Sequence, residues 1–209
     1  MIRLEPNDIL VLEELILYIQ LTSYRFSKLT GVSNATAWRT FNRLVGLGLV
    51  KREDKRGFSI TARGAIILYL NTSKGNVKRR CLSVLKKLWN YDGDEEKLKY
   101  FLEDVDKVLK NMNLSPFVIC FNQPVTIATM LYSRLDELKE ETKEVIANIL
   151  INFFPSINLR NRCKAIISYD NSGKPYVLAA KCKIDGIKLR YYCPEISKYL
   201  SVKNAELPQ

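Results

Sequence analysis

The chain has 209 residues, 47% hydrophobic and 26% charged, which is enough apolar sequence to bury the core of one large or two small domains and excludes a disordered tail. No run of about 18 uncharged apolar residues and no leader-like start occurs, so we expect a cytoplasmic protein without a membrane partner. The net charge of +11 at pH 7 favours a polyanionic partner, and the basic excess lies in residues 1–74 and 158–209.

The first predicted elements are three helices. A helix over residues 9–21, capped by Asn7 or Asp8, provides a scaffold. Residues 24–44 are typical of two short helices joined by a turn at Gly31, with Ser33 as the cap of the second. We expect this pair to bury an apolar stripe that consists of Phe26, Leu29, Val32, Ala37, Phe41 and Leu44.

The opposite face of the second helix of the pair, residues 33–45, is polar and basic. Side chains of these types reach phosphates and base edges when a helix lies in the major groove of DNA. Trp38 borders the buried stripe and is interpreted as packing, with a wedge against sugar or base as the alternative. The candidate recognition residues are Ser33, Asn34, Thr36, Arg39, Thr40 and Arg43.

A β-hairpin is predicted next, from a strand that starts near residue 49, a charged tip at 51–57 and a return strand at 58–61. Its cations are candidates for contacts with the DNA backbone or an adjacent minor groove. They are Lys51, Arg52, Lys55 and Arg56. Thr61 then opens a helix over residues 62–70.

Three sequence stretches carry a family resemblance. They are Leu-Thr-Gly-Val-Ser at 29–33, Arg-Leu-Val-Gly-Leu-Gly-Leu-Val-Lys-Arg at 43–52, and Ile-Thr-Ala-Arg-Gly at 60–64. In this order, residues 8–72 resemble the winged helix-turn-helix domains of bacterial and archaeal regulators. The resemblance covers about a third of the chain. It implies binding of double-stranded DNA, with residues 33–45 as the recognition helix and residues 51–57 as the wing.

A polar linker at residues 71–76 predicts two domains, 1–72 and 73–209. Amphipathic helices are expected over 77–89 and 95–112, and such helices commonly pair with each other or with a second protomer. We therefore expect a homodimer, or a protein partner bound through 73–209. The following elements are a strand and two helices, at 117–121, 125–138 and 141–154.

The C-terminal third predicts a three-stranded antiparallel meander, with strands at 164–169, 176–183 and 187–193. The whole chain is therefore assigned to the α+β class, with a winged helix-turn-helix followed by a helix-rich domain that ends in this meander. Alternating cations on neighbouring strands suggest a second nucleic-acid surface, and a polar outer face of the sheet is the equal alternative. These cations are Lys181, Lys183, Lys188 and Arg190.

The chain has no histidine and no phosphate-binding loop, and its five cysteines are widely separated, so we expect no metal, cofactor or catalytic residue. The cysteines are expected to be reduced and mostly buried. If the source is a hyperthermophile, a disulfide among Cys163, Cys182 and Cys193 is the alternative.

Three functions are compatible with these sequence features. The leading hypothesis is a sequence-specific transcriptional regulator. The alternative is a winged-helix subunit of a replication, plasmid, viral or defence nucleoprotein complex that acts through protein contacts and nonspecific nucleic-acid binding. The third is a metal-dependent nuclease, in which Asp170 and the strand that ends at Lys181 would hold the ion, although Ala179 occupies the position where that chemistry needs a carboxylate.

Overall fold

The computed structural model describes residues 3–54, 57–118, 123–159, 163–183 and 186–191. In these ranges helices are combined with two antiparallel sheets, which confirms the α+β class. The chain divides into two compact units, Met1–Thr126 and Ile127–Gln209. None of the helices within the described ranges is long and apolar enough to cross a lipid bilayer.

The first unit combines six helices with a small sheet, counted over its described residues. In the sheet, the third strand lies between the other two and pairs antiparallel with both. The elements in chain order are α1 (Pro6–Tyr18), β1 (Gln20–Leu21), α2 (Ser23–Thr30), α3 (Asn34–Gly46), β2 (Val50–Glu53), β3 (Gly57–Ile60), α4 (Ala62–Asn71), α5 (Gly75–Leu88) and α6 (Glu95–Asn111).

The helix predicted over residues 9–21 ends early, at Tyr18, because Gln20 and Leu21 form strand β1 and pair with β3. One residue, Ile19, connects helix and strand, and it takes φ 66° and ψ −46° to do so. For a β-branched residue, this backbone conformation costs on the order of 1–3 kcal/mol. The tight connection is therefore a strained point of the first unit.

The core of the first unit is aromatic where α2, α3 and β3 meet. The Phe41 ring packs edge-on against Phe26, with 5.6 Å between centroids, and stacks on Phe58 at 4.5 Å. Ser33 caps α3 as predicted, because its Oγ accepts a hydrogen bond from the Thr36 amide (3.2 Å). The expectation that Leu29 is buried is wrong, since 47% of it is exposed.

The linker predicted at residues 71–76 is short in the structure. Helix α4 ends at Asn71, α5 begins at Gly75, and the two helices pack on each other in the first unit. Where a strand was predicted at 117–121, Pro116–Val118 forms a 3-10 turn, and residues 119–122 lie outside the described residues. The proline ring fixes φ at about −65°, which is the value of a 3-10 turn, so Pro116 suits the first position of this turn.

The second unit places one long helix on a four-stranded antiparallel sheet. The predicted meander is present, and a strand not predicted from the sequence, β4, extends it at one edge. The helix predicted over 125–138 is shorter than expected and is followed by a 3-10 turn at Leu135–Glu137. The remaining elements are α7 (Pro124–Tyr132), which spans the division between the units, α8 (Glu140–Phe153), β4 (Ile157–Leu159), β5 (Cys163–Tyr169), β6 (Pro175–Cys182) and β7 (Gly186–Tyr191).

Cys163 and Cys182 stand directly opposite each other on β5 and β6 and form a disulfide, with their Cα atoms 4.2 Å apart. This pairing is one of those that the sequence left open, and it corrects the expectation of reduced thiols for these two residues. Cys81 is a free, buried thiol in α5, and burial raises its pKa to about 12. Cys120 and Cys193 lie outside the described residues.

Candidate nucleic-acid interface

Helix α3 has one buried face and one solvent-facing side. Ala37, Phe41 and Leu44 are fully buried, in agreement with the predicted apolar stripe. The solvent-facing side follows the helical spacing i, i+1, i+4, i+5 and i+8. It consists of the exposed residues Asn34, Ala35, Trp38 and Arg39, and the half-buried Asn42.

Arg39 and Asn34 are the predicted recognition residues that the structure leaves available. Both are exposed, and within the described part of the chain neither side chain has a hydrogen-bond or ion-pair partner. Arginine has five N–H donors in a planar fork, and an asparagine amide can donate and accept at once. Both side chains can therefore make bidentate contacts with an external partner.

Arg43, in contrast, is turned away from this side. Its guanidinium bonds to the Asp8 carboxylate at 2.6 Å, to the Glu5 carboxylate, and to the Arg3 carbonyl oxygen at 3.2 Å. Burial of Asp8 raises the pKa of its carboxyl, although the Glu5 amide and the Arg43 charge act to lower it. The structure therefore engages the Arg43 guanidinium in the contact between α3 and α1.

The hydroxyl groups of α3 are used locally. Ser33 Oγ donates to Thr36 Oγ1 (2.9 Å) and caps the helix, while Thr40 Oγ1 donates to the Thr36 carbonyl oxygen (3.0 Å). Hydroxyls with such partners are less available to an external ligand. Of the six predicted recognition residues, Asn34 and Arg39 are the two that remain without a partner among the described residues.

Arg52 connects the hairpin to α3. Its guanidinium lies over the rings of Trp38 and Phe58, 5.1 and 5.6 Å from their centroids. Its Nη2 also donates to Asn42 Oδ1 at 2.9 Å. Because the guanidinium is held on three sides by protein groups, Arg52 positions the hairpin against α3. This role of Trp38 and Asn42 was not predicted from the sequence, although their spacing of four residues places them on one helix face.

The other predicted wing cations fall into two groups. Lys51 pairs with Glu53 at 2.7 Å, on the face of the hairpin opposite to Arg52, since successive strand residues alternate between faces. Lys55 and Arg56, at the predicted tip, lie outside the described residues. Two further exposed cations, Arg25 and Lys28 on α2, were not singled out from the sequence and lie over the rings of Tyr18 and Tyr24, respectively.

The predicted basic surface of the second unit is not a single face. Lys181 stands opposite Ile187 and Lys188 stands opposite Ala180, so the two lysines project from opposite sides of the sheet. Lys183 follows the end of β6, and Arg190 takes a positive φ of 46° on β7. The structure therefore does not bring the four cations Lys181, Lys183, Lys188 and Arg190 together.

Asp170, the residue on which the nuclease hypothesis depends, closes the turn between β5 and β6. Its Oδ1 accepts hydrogen bonds from the amides of Ser172 and Lys174, both at 2.9 Å, and from Ser172 Oγ at 2.6 Å. A carboxylate so engaged has a structural role in the turn. Over the described ranges, no group of three or more cysteine, aspartate or glutamate side chains is placed to hold a metal ion.

In comparisons with known proteins, the chain matched no family model, no curated protein and no solved structure.

Proposed function

We propose that residues 8–72 form a winged helix-turn-helix domain and that the protein is a sequence-specific DNA-binding regulator of transcription. Helix α3 is the recognition helix, and the β2–β3 hairpin is the wing. The observation that carries the proposal is the solvent-facing side of α3. There Asn34 and Arg39 have no partner among the described residues, while the opposite face of the helix is fully buried.

These two side chains match the chemistry of base edges in the major groove. An arginine bonds guanine O6 and N7 together, and an asparagine bonds adenine N6 and N7 together. Arg39 lies five residues after Asn34, so at about 1.5 Å rise per residue the two side chains can reach different base pairs. The net charge of +11 supplies the sequence-independent attraction to phosphates.

The contacts that fix the position of α3 also support the proposal. Arg43 joins the inner side of the helix to α1, and Arg52 joins its outer side to the hairpin through Trp38 and Asn42. A recognition helix that is fixed by contacts on both sides loses little conformational entropy when DNA binds. The arrangement is that of a preorganised binding surface.

Genome-wide footprinting of the intact protein, followed by binding to a recovered site and to a random duplex, tests the proposal. We expect Arg39→Ala to weaken binding to the recovered site by about 10- to 100-fold and to change binding to the random duplex much less. Arg79→Ala, which removes an exposed arginine of α5, is the matched control and should leave the ratio of the two affinities unchanged. Equal losses on both duplexes for Arg39→Ala would remove the base-reading role.

A second candidate function is a winged-helix subunit of a nucleoprotein complex that binds DNA without sequence preference. The partners of Arg43 and Arg52 favour it, because two of the predicted DNA-binding arginines are already engaged within the protein. The same experiment separates the two functions. A nonspecific subunit gives no discrete footprints and equal affinity for all duplexes, whereas a regulator gives both footprints and a specificity ratio.

A further inference from the structure

An apolar groove runs along the first unit between the end of α1 and α5. It consists of two depressions of about 270 and 150 Å³ that share Ile19, Val84 and Leu88. Leu17 also lines the larger depression, and Leu17, Ile19 and Leu88 are 42, 64 and 45% exposed. Exposed large apolar side chains grouped around a concave surface mark sites of interaction with other molecules.

Ile19 is held in this groove by a strained backbone. Its φ of 66° is a conformation in which glycine is the ordinary choice, and its side chain is the most exposed of the large apolar side chains described. Burial within the chain does not compensate for the strain, because the side chain faces solvent. Strained residues of this kind cluster at sites of function, which indicates that the isoleucine side chain is itself needed in the groove.

The groove has a basic rim along its larger depression, whereas Lys51 and Glu53, which line the smaller one, pair with each other. Arg80 and Lys87 line the larger depression, and in the described part of the chain neither side chain forms an ion pair or hydrogen bond. A symmetric contact between two copies of this groove would bring like charges together, which is unfavourable. An apolar centre with a basic rim instead complements an amphipathic segment that has acidic side chains beside its apolar ones.

The groove lies on the other side of the β1–β3–β2 sheet from α3. Lys51 and Ser59 are a register pair that lines the smaller depression, whereas Arg52 and Phe58 are the neighbouring pair that contacts Trp38 of α3. Successive pairs project from opposite faces of a sheet. A molecule in the groove can therefore be bound while the solvent-facing side of α3 is occupied.

We propose that this groove, the α1–α5 groove, binds an amphipathic segment of a partner protein. The apolar side chains of the segment contact Ile19, Val84 and Leu88, and its carboxylates face Arg80 and Lys87. This is the helix-in-groove mode of recognition, in which apolar anchors provide the affinity and charges on the rim orient the segment. The inference does not depend on DNA binding.

In the test, a display library of random peptides is selected for binding to the full chain. Peptides that also bind a Leu88→Ser variant are removed by counter-selection. We expect the enriched peptides to combine apolar residues at helical spacing with aspartate or glutamate. The affinity of one enriched peptide is then measured by fluorescence anisotropy. Leu88→Ser should weaken it by about tenfold or more, and Leu29→Ser, an equally exposed leucine outside the groove, should not change it.

Two further variants separate binding from folding. Ile19→Gly relieves the strained backbone, so it should raise the melting temperature while it weakens peptide binding; a merely structural isoleucine would not produce that combination. Arg80→Glu with Lys87→Glu should abolish binding of the acidic peptide and allow binding of its lysine counterpart. Lys86→Glu, on the same helix but outside the groove lining, is the matched charge control.

Four results would overturn the proposal. They are enrichment of no peptide, enrichment of peptides without acidic residues, displacement of the peptide by a random DNA duplex, and self-association of the protein that Leu88→Ser abolishes. The last would assign the groove to a homodimer. Binding of the recovered DNA site, measured on the uncharged variants Leu88→Ser and Ile19→Gly, should be unchanged, so failure here is distinguishable from failure of the proposed function.

Discussion

Arg43 on α3 donates a 2.6 Å hydrogen bond to the carboxylate of Asp8 on α1, and Asp8 is 1% exposed. The same carboxylate accepts the Glu5 amide at 2.7 Å and so caps the start of α1. The buried Asp8 carboxylate therefore connects the start of α1 to α3, the helix that we propose binds DNA. The orientation of α3 relative to α1 depends on this pair.

Arg43→Ala should destabilise the first unit, because it leaves the buried Asp8 carboxylate without its cation. Loss of one partner of a fully buried pair costs about 3–5 kcal/mol, and since the Arg43 side chain is 35% exposed we expect roughly 2 kcal/mol. Urea unfolding at neutral pH measures the change in unfolding free energy. Arg39→Ala, an exposed arginine of the same helix, should leave that free energy unchanged.

The effect of Arg43→Ala should depend on pH in a defined direction. Burial raises the pKa of Asp8 above the ordinary value of 3.8, so the folded protein holds this proton more tightly than the unfolded chain does. The stability that this group contributes is fully present below pH 3.8 and is lost as the pH rises through the raised pKa of the folded state. Loss of Arg43 raises that pKa further, so the variant should differ most from the parent at neutral pH and least in acid. A larger deficit in acid would contradict the assignment.

Arg52→Ala should weaken DNA binding by releasing the hairpin from α3. Because the guanidinium contacts Trp38, Phe58 and Asn42, we expect lower affinity with an unchanged dependence of affinity on salt concentration. In contrast, replacing both Lys55 and Arg56 by alanine should reduce the slope of log K against log salt by about 2, if each contacts one phosphate. Binding isotherms over a salt series distinguish positioning from direct contact.

Gly64→Ala should destabilise the first unit by about 1–3 kcal/mol. A Cβ at this position in α4 would overlap the backbone carbonyl of Leu49, and a carbonyl oxygen of the main chain cannot move aside as a flexible side chain can. Gly46→Ala is the control, because nothing lies near a Cβ there and φ is not positive; it should stabilise by about 0.5–1 kcal/mol. Thermal unfolding of both variants tests the expected opposite signs.

Reduction of the Cys163–Cys182 disulfide should destabilise the second unit. The bond closes a loop with a sequence separation of 19 residues, which corresponds to about 3 kcal/mol of lost chain entropy in the unfolded state. Melting with and without a reductant measures the effect. The Cys163→Ser, Cys182→Ser double variant should melt near the temperature of the reduced parent and show no response to reductant. If the reductant did not change the melting temperature of the parent protein, the disulfide would not be stabilising.

Much of the local structure was predictable, because it depends on short-range signals. The cap at Ser33, the turn at Gly31, the hairpin between β2 and β3 and the three strands of the meander follow from residue type and hydrophobic period alone. Two strands, β1 and β4, were not predicted because they depend on long-range contacts. β1 and β4 have two and three residues, too few for an alternating pattern, and they form because a longer strand lies beside them.

At the candidate site, residue types and helical spacing were enough to predict the polar and cationic side of α3 and the apolar stripe behind it. Which of those polar side chains already have a partner within the protein depends on the packing of α3 against other elements. Arg43 and Arg39 are both arginines on one helix, yet a buried carboxylate from α1 engages the first, and the described chain leaves the second without a partner. Likewise, register places Lys181 and Lys188 on opposite faces of their sheet. Helical and strand periods act within a few residues, whereas ion pairs and strand register join positions that are far apart in the chain, so only the former can be read from local sequence.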